Sequence, residues 1–153
     1  MTDTTKGFTL TRNYDATPEQ IWQAWTDPDQ AAQWWHPAGL STPRDSVSID
    51  ARVGGLYTYT MVDDASGEEY PTGGEYREVV PNEKLVFTWG DPSGDPDDAM
   101  LVTVSIEPLG ELTRLVFDLR GADGMRGDDS FYDGWDGALD ELAQLLGQTP
   151  VAG

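Results

Sequence analysis

The sequence contains one long amphipathic helix pattern, and it lies near the C-terminal end. Apolar residues recur there at spacings of three and four, the period of a helix with a single apolar face. A helix of this kind buries its apolar face only against another layer of structure, so the preceding chain must supply a surface that covers it. The stripe consists of Phe131, Trp135, Ala138, Leu139, Leu142, Leu145 and Leu146.

Most of the preceding chain has the pattern of short β-strands. Apolar and polar residues alternate from Phe8 to Tyr14 and again from Leu56 to Val62, as in strands with one buried face. Similar segments are centred on residues 47–49, 74–80, 85–89, 100–106 and 115–119. Tight turns between consecutive strands favour antiparallel pairing, and such a sheet cannot cover both of its own faces.

Two short helices are predicted directly after the first strand. Thr17-Pro18 and Asp27-Pro28 each combine a capping residue with a proline at the first helical position. The order of elements therefore predicts an α+β fold, in which a curved antiparallel sheet of about six to seven strands wraps around the long C-terminal helix. Gly54-Gly55 precedes a strand rather than a helix, which predicts a tight bend and not a phosphate-binding loop.

The chain of 153 residues fits one domain. We expect residues 7–147 to form it, with residues 1–6 and 148–153 as flexible ends.

Several stretches of the sequence are similar to one known superfamily. They include Arg12 to Ala16, Ile21 to Pro28, Trp34-Trp35, Val80 to Trp89 and Gly134-Trp135, in that order. The set resembles the SRPBCC (START-like) superfamily, and within it the AHSA1-like branch, which is related to the C-terminal domain of the activator of the Hsp90 ATPase. The similarity extends from about Phe8 to Gly147.

This resemblance implies a helix-grip fold with a cavity between the sheet and the last helix. Members of the superfamily include lipid and hormone carriers, polyketide cyclases, oxygenase domains and chaperone cofactors. The fold alone therefore does not decide the function.

Composition excludes several classes of function. The chain has 28 acidic and nine basic residues, and a net charge of −19 repels phosphate backbones and anionic lipid, so neither nucleic acid nor a membrane surface is an expected partner. With no cysteine and a single histidine, a thiolate or histidine-dominated metal site cannot form, and we expect neither metal nor cofactor. No apolar stretch approaches the roughly 20 residues of a membrane span, so the expected location is the cytoplasm.

The abundance of aromatic residues indicates either a dense core or an aromatic-walled pocket. Aromatic side chains bury large apolar surfaces, while their hydroxyl and indole N–H groups are able to orient a ligand. The candidate pocket residues are Trp35, Tyr57, Tyr59, Tyr76, Phe87, Trp89, Phe117, Phe131 and Trp135.

Two charged or titratable residues are candidate polar anchors. Arg12 shares strand parity with Tyr14 and so points inward, where it needs a carboxylate or an acidic ligand group. His36 follows Trp34-Trp35 at a predicted helix end, and there it serves either as a surface or capping group or as a general base at a pocket mouth.

The leading hypothesis is a binding domain for a small apolar or aromatic molecule, held between the sheet and the last helix. A protein-interaction module related to Hsp90 activators or to stress responses is the first alternative, and a homodimer stays open. A cofactor-free cyclase, isomerase or hydrolase is the second alternative, but the sequence contains no shared catalytic motif. The residues therefore favour binding over catalysis.

Overall fold

The computed structural model describes residues 6–36, 40–90, 99–121 and 131–146, and for Phe131 it describes the backbone alone. The predicted flexible ends, residues 1–6 and 148–153, lie outside this description apart from Lys6.

In these ranges the chain forms eight strands, two of which are only two residues long. They are β1 (Gly7–Tyr14), β2 (Leu40–Ser41), β3 (Ser48–Ile49), β4 (Leu56–Asp63), β5 (Glu69–Val80), β6 (Lys84–Trp89), β7 (Met100–Leu109) and β8 (Leu112–Arg120).

The described part of the chain also contains three α-helices and a 3₁₀ turn at Arg44–Ser46. The helices are α1 (Pro18–Thr26), α2 (Pro28–Ala31) and α3 (Phe131–Leu145). None of the described helices has the length and apolar character that crossing a membrane requires.

The N-terminal ends of α1 and α2 form as their capping residues predict. The side chain of Thr17 accepts a hydrogen bond from the backbone N–H of Gln20, and the Gln20 side chain accepts one from the backbone of Thr17. This reciprocal pair satisfies two backbone donors that a helix start leaves without partners. Asp27 caps α2 by accepting from the backbone N–H of Asp29.

All strand pairs of the sheet are antiparallel. The order is β1-β8-β7-β6-β5-β4-β2, and β3 pairs with β4 on the same side as β2 but at the other end of that strand. Consecutive strands from β4 to β8 are neighbours, and β1 closes onto β8. The predicted antiparallel sheet wrapped around a C-terminal helix is therefore confirmed.

Glycines allow β5 to follow the curvature of the sheet. A Cβ atom on Gly74 would lie 1.8 Å from the carbonyl oxygen of Thr88, and one on Gly73 would lie 2.5 Å from that of Tyr57. A side chain at either position would push a neighbouring strand away. The pairing of β5 with β6 also shifts register between Tyr76 and Glu78, a β-bulge that bends the strand further.

Gly54 and Gly55 form the tight bend that their position predicts. Gly54 has φ +82°, and a Cβ on Gly55 would lie 2.0 Å from the carbonyl oxygen of Asp50. The bend leads the chain directly into β4.

The apolar face of α3 packs on the concave side of the sheet. Its buried side chains are Trp135, Ala138, Leu139, Leu142 and Ala143. The ring of Trp135 contacts Phe117 of β8 at a centroid distance of 4.5 Å and stacks on Trp25 of α1 at 6.2 Å. The hydroxyl of Tyr14 donates a hydrogen bond to the carbonyl oxygen of Leu139, 3.0 Å away, which ties β1 to the middle of α3.

Arg12 also joins β1 to α3. Its guanidinium forms a salt bridge through Nη2 with the carboxylate of Asp136, and Nη1 donates to the carbonyl oxygen of Thr11 at 3.1 Å. The Arg12 side chain is 7% exposed and that of Asp136 is 28% exposed, so this ion pair is mostly withdrawn from water. Of the two roles predicted for Arg12, the structure shows the pairing with a carboxylate.

We predict that removing residues 128–153 abolishes cooperative folding. Leu139 and Leu142 are completely buried, and each gains roughly 1.5–3 kcal/mol from burial. Together with Trp135 they account for much of a total stability of about 5–15 kcal/mol. Circular dichroism should therefore show no cooperative thermal transition for the shortened chain, and a sharp melt would contradict the role given to α3.

We predict that Asp136→Leu destabilises the protein by about 3 kcal/mol, because it leaves the Arg12 guanidinium buried without a counter-charge. This corresponds to a fall in melting temperature of about 6–12 °C. The double variant Arg12→Met with Asp136→Leu should recover most of the loss, since an apolar pair often replaces a buried ion pair without penalty. Urea denaturation measures the free energy of unfolding of both variants. If the single and the double variant lose the same amount, the broken ion pair is not the cause of the destabilisation.

Candidate functional site

A cavity of about 290 Å³ lies between the sheet and the N-terminal half of α3. Its wall is almost entirely apolar. The lining comes from the segment after α2, from β2, β4, β5 and β6, and from α3. The lining residues are Trp35, His36, Leu40, Tyr59, Met61, Tyr70, Trp89, Gly134, Trp135 and Ala138.

Three indole rings form much of this wall. The rings of Trp89 and Trp135 meet edge to face with centroids 5.4 Å apart, and Trp35 contacts the ring of Tyr59 at 4.8 Å. The indole Nε1–H of Trp89 donates to the hydroxyl oxygen of Tyr59 at 2.8 Å. This hydrogen bond joins β6 to β4 across the edge of the cavity.

The polar groups of the wall are few, and burial affects their ionisation. Burial raises the pKa of the Tyr59 phenol well above its ordinary value of 10.0, so this hydroxyl keeps its proton at neutral pH. Burial also lowers the pKa of His36, against the opposing effect of the carboxylates of Glu141 and Asp64. Both groups are therefore uncharged at neutral pH.

Small residues of α3 leave room for the cavity. A Cβ atom built on Gly134 would meet no atom within 4 Å, so the absence of a side chain there keeps space open beside the helix. A glycine inside a helix costs up to about 1 kcal/mol relative to alanine. No contact of Gly134 within the described structure excludes a side chain at this position, and Gly134 is one of the residues that line the cavity.

The structure brings five of the predicted site residues together. Trp35, Tyr59, Trp89 and Trp135 line the cavity, and the predicted anchor His36 lies beside them.

The cavity wall differs from the prediction at four aromatic residues. Tyr57, Tyr76, Phe87 and Phe117 are buried in the core and are not among the lining residues. The rings of Trp35 and Trp135 pack on Tyr57 and Phe117 at centroid distances of 5.8 and 4.5 Å, and these indoles face the cavity in their place. The hydroxyl of Tyr57 donates to the carbonyl oxygen of Thr88 at 2.6 Å.

Two further predicted residues do not contribute to the described wall. Arg12, the other predicted anchor, is engaged with Asp136 and is not a lining residue. The side chain of Phe131 lies outside the description.

Sequence reasoning missed five lining residues, and two of them carried a usable signal. Met61 shares strand parity with Tyr59, and Gly134 is an unexpected glycine within a helical pattern. Leu40 and Tyr70 lie in segments that were not predicted as strands, and Ala138 was predicted only as part of the helix stripe.

The described residues offer no obvious place for a metal ion. In residues 6–36, 40–90, 99–121 and 131–146, no group of three or more histidine, aspartate or glutamate side chains is arranged to hold one.

Comparison with proteins of known structure identifies several with the same architecture. A protein from Chromobacterium violaceum shares 32% sequence identity, with a TM-score of 0.79 over 92% of this chain and 96% of that chain. An AHSA1 protein from Silicibacter pomeroyi shares 30% identity, with a TM-score of 0.74 over 92% of this chain and 97% of its own. An Hsp90 activator from Plasmodium falciparum has the same fold at 21% identity, with a TM-score of 0.69 over 95% and 99% of the two chains. None of the curated proteins matches the sequence.

The family assignment follows from a match along most of the chain. The model of the family described as "Activator of Hsp90 ATPase homolog 1-like protein" matches residues 15–147. That range includes every residue that lines the cavity. The chain therefore belongs to the AHSA1-like family, as its sequence resemblance predicted.

Proposed function

We propose that this chain binds a small apolar or aromatic molecule in the cavity between the sheet and α3. The observation that carries the proposal is the composition of the wall: three indoles and further apolar groups surround about 290 Å³ beside a glycine of α3. At about 30 Å³ per water molecule, this is the volume of roughly ten waters, enough for a ligand of one or two rings. Pockets of this kind, mostly apolar with a few polar groups, are typical of small-molecule sites.

Binding in such a cavity has a moderate driving force. A ligand that buries about 200 Å² of apolar surface gains about 5 kcal/mol at 25 cal/mol per Å². The loss of translational and rotational freedom offsets part of this gain. Dissociation constants of about 0.2 mM or weaker are therefore expected for simple aromatic compounds.

The lining residues support binding better than catalysis. General acid–base chemistry needs a group whose pKa lies near the working pH, with a partner in reach of the same substrate. Among the lining residues, His36 is the one group whose ordinary pKa is near neutrality, and burial keeps the Tyr59 phenol protonated. A cofactor-free enzyme is for this reason the weaker reading.

A protein-interaction role is the second candidate, and family membership favours it. Exposed large apolar side chains occur at Val53 before β4 and at Leu56, the first residue of β4. Two more, Leu109 and Leu112, lie on either side of the β7–β8 turn. The apolar surface that two such pairs expose is small compared with a standard interface, which buries about 800 Å² per partner. Stimulation of an Hsp90-type ATPase by the purified protein would support this candidate, and sedimentation analysis tests the homodimer. The cytoplasmic location stays a prediction from the sequence.

We predict that the neutral fluorescent probe N-phenyl-1-naphthylamine binds saturably at about one site per chain. Binding should quench tryptophan emission, because the indoles of Trp35, Trp89 and Trp135 line the cavity. Trp135→Phe, which keeps most of the packing, should change the affinity and reduce the quenching. The exposed residue Leu56 provides a control, and Leu56→Ala should leave both unchanged. Weak, unsaturable binding that Trp135→Phe does not alter would count against a cavity site.

We predict that Gly134→Ala has opposite effects on stability and on probe binding. The new methyl group enters open space and improves helix propensity, so the free energy of unfolding should rise by about 0.5–1 kcal/mol. The same methyl group occupies part of the cavity and should weaken probe binding. Urea denaturation and fluorescence titration measure the two quantities, and a destabilised variant would show that the space beside α3 is not open.

A further inference from the structure

One hydrogen-bond chain defines the protonation of the His36 ring. The hydroxyl of Thr42 donates to the carbonyl oxygen of Trp35 at 2.8 Å, which uses its only hydrogen. The Nδ1 atom of His36 lies 3.2 Å from the same hydroxyl oxygen, so Nδ1 must be the donor in that contact. In a neutral imidazole with a proton on Nδ1, the other nitrogen, Nε2, carries a lone pair and accepts hydrogen bonds.

The neutral ring is also the form that its surroundings favour. Burial lowers the pKa of His36, and this effect exceeds the opposing influence of Glu141 on α3 and Asp64 in the turn after β4. No described residue donates a hydrogen bond to Nε2. His36, a lining residue, therefore has an acceptor whose partner the described chain does not supply.

The same wall contains a hydroxyl donor that lacks an acceptor. The hydroxyl oxygen of Tyr59 accepts from Trp89, but its own hydrogen has no acceptor among the described residues. The indole N–H groups of Trp35 and Trp135 have no partner in the described part of the chain either, but both nitrogen atoms are fully buried behind the wall and do not face the cavity. A hydroxyl group suits this combination, because it donates one hydrogen bond and accepts others.

The charges around the cavity disfavour an anionic ligand. Among the lining residues that the structure describes there is no lysine or arginine, and Arg12 is paired with Asp136 away from the wall. Glu141 and Asp64 both act on His36, and the whole chain carries a net charge of −19. Transfer of a carboxylate into an apolar cavity without a cationic partner is costly.

From these observations we infer that the ligand is a neutral aromatic molecule of the phenol class, and that its hydroxyl donates a hydrogen bond to Nε2 of His36. This inference rests on the proposed function and specifies the chemistry of the same cavity. It distinguishes a phenol from an aromatic ether or ketone, which only accepts, and from an aromatic acid, which is ionised at neutral pH.

Three naphthalene derivatives test the inference on the full-length protein. At pH 7.5, 2-naphthol should bind about tenfold more tightly than 2-methoxynaphthalene, which has the same rings but no donor. A tenfold difference is the effect expected of one hydrogen bond to a buried acceptor. The anion 2-naphthoate should bind more weakly than 2-naphthol. Quenching of tryptophan emission measures all three affinities.

Two substitutions of His36 provide the matched control. The amide of His36→Asn takes the place of Nδ1 and is able to keep the bond to Thr42, but it has no counterpart of Nε2. The longer side chain of His36→Gln places an amide oxygen near the position of Nε2. His36→Asn should abolish the preference for 2-naphthol, measured as the ratio of its affinity to that for 2-methoxynaphthalene, and His36→Gln should retain part of this ratio.

The pH dependence gives an independent readout. Protonation of His36 turns Nε2 into a donor, so the preference for 2-naphthol should disappear as the pH falls below the ordinary histidine value of 6.5. The carboxylates of Glu141 and Asp64 are the charged groups that act on His36. The pKa values of the Tyr59 and Tyr70 phenols are raised, so both phenols stay protonated over this range. The affinity for 2-methoxynaphthalene should stay constant over the same range.

The outcomes separate this inference from the proposed function. Saturable binding of 2-methoxynaphthalene with no gain for 2-naphthol, or a gain that survives in His36→Asn, would overturn the role of His36 and leave cavity binding intact. If none of the three compounds binds saturably, both the inference and the proposed function are wrong.

Discussion

The contact between α3 and the concave face of the sheet is the interaction on which the rest of the structure depends. An antiparallel sheet of this size has one face that it cannot cover by itself, and α3 is the longest described helix. Trp135 is central to the contact, because its ring meets Phe117 of the sheet and Trp25 of α1 at once. The ion pair of Arg12 with Asp136 and the hydrogen bond from Tyr14 to Leu139 hold the same helix to the edge strand β1.

The cavity is a consequence of how this helix lies on the sheet. Towards its C-terminal end α3 buries Leu139, Leu142 and Ala143 tightly, whereas its N-terminal half presents Gly134, Trp135 and Ala138 to the cavity. The bends at Gly73 and Gly74 allow β4 and β5 to curve, and both strands supply lining residues. A dense core and a cavity thus occur side by side under one helix.

The sequence was sufficient to predict the fold because the fold depends on periodicity. The alternation from Phe8 to Tyr14 and the stripe along α3 each reflect one buried face, and such patterns are local. The first residues of β5 were missed because Pro71 interrupts the pattern, and proline is unusual inside a strand. The two-residue strand β2 was missed because so short a segment carries no period.

The cavity wall was harder to predict, because it depends on which aromatic ring lies above another. Tyr57 and Tyr59 have the same parity on β4, yet only Tyr59 is among the lining residues, while Trp35 packs on the ring of Tyr57. Trp35 contacts both rings from a different part of the chain, and the alternation of residues along β4 does not predict this contact. The protonation of His36 was also beyond prediction, since its tautomer depends on the contact with Thr42 and its pKa on the amount of burial.

The hydrogen-bond chain from Trp35 through Thr42 to His36 allows the polarity of the cavity to change separately from the stability of the core. It lies in the connection between α2 and β2 and at the start of the following segment. Trp35 belongs to the buried core, whereas His36 does not. Substitutions at His36 therefore alter the polarity of the cavity without removing a side chain from the buried core. Under the proposed function, a lineage with this fold is able to change its ligand through His36 while the residues of the buried core stay the same.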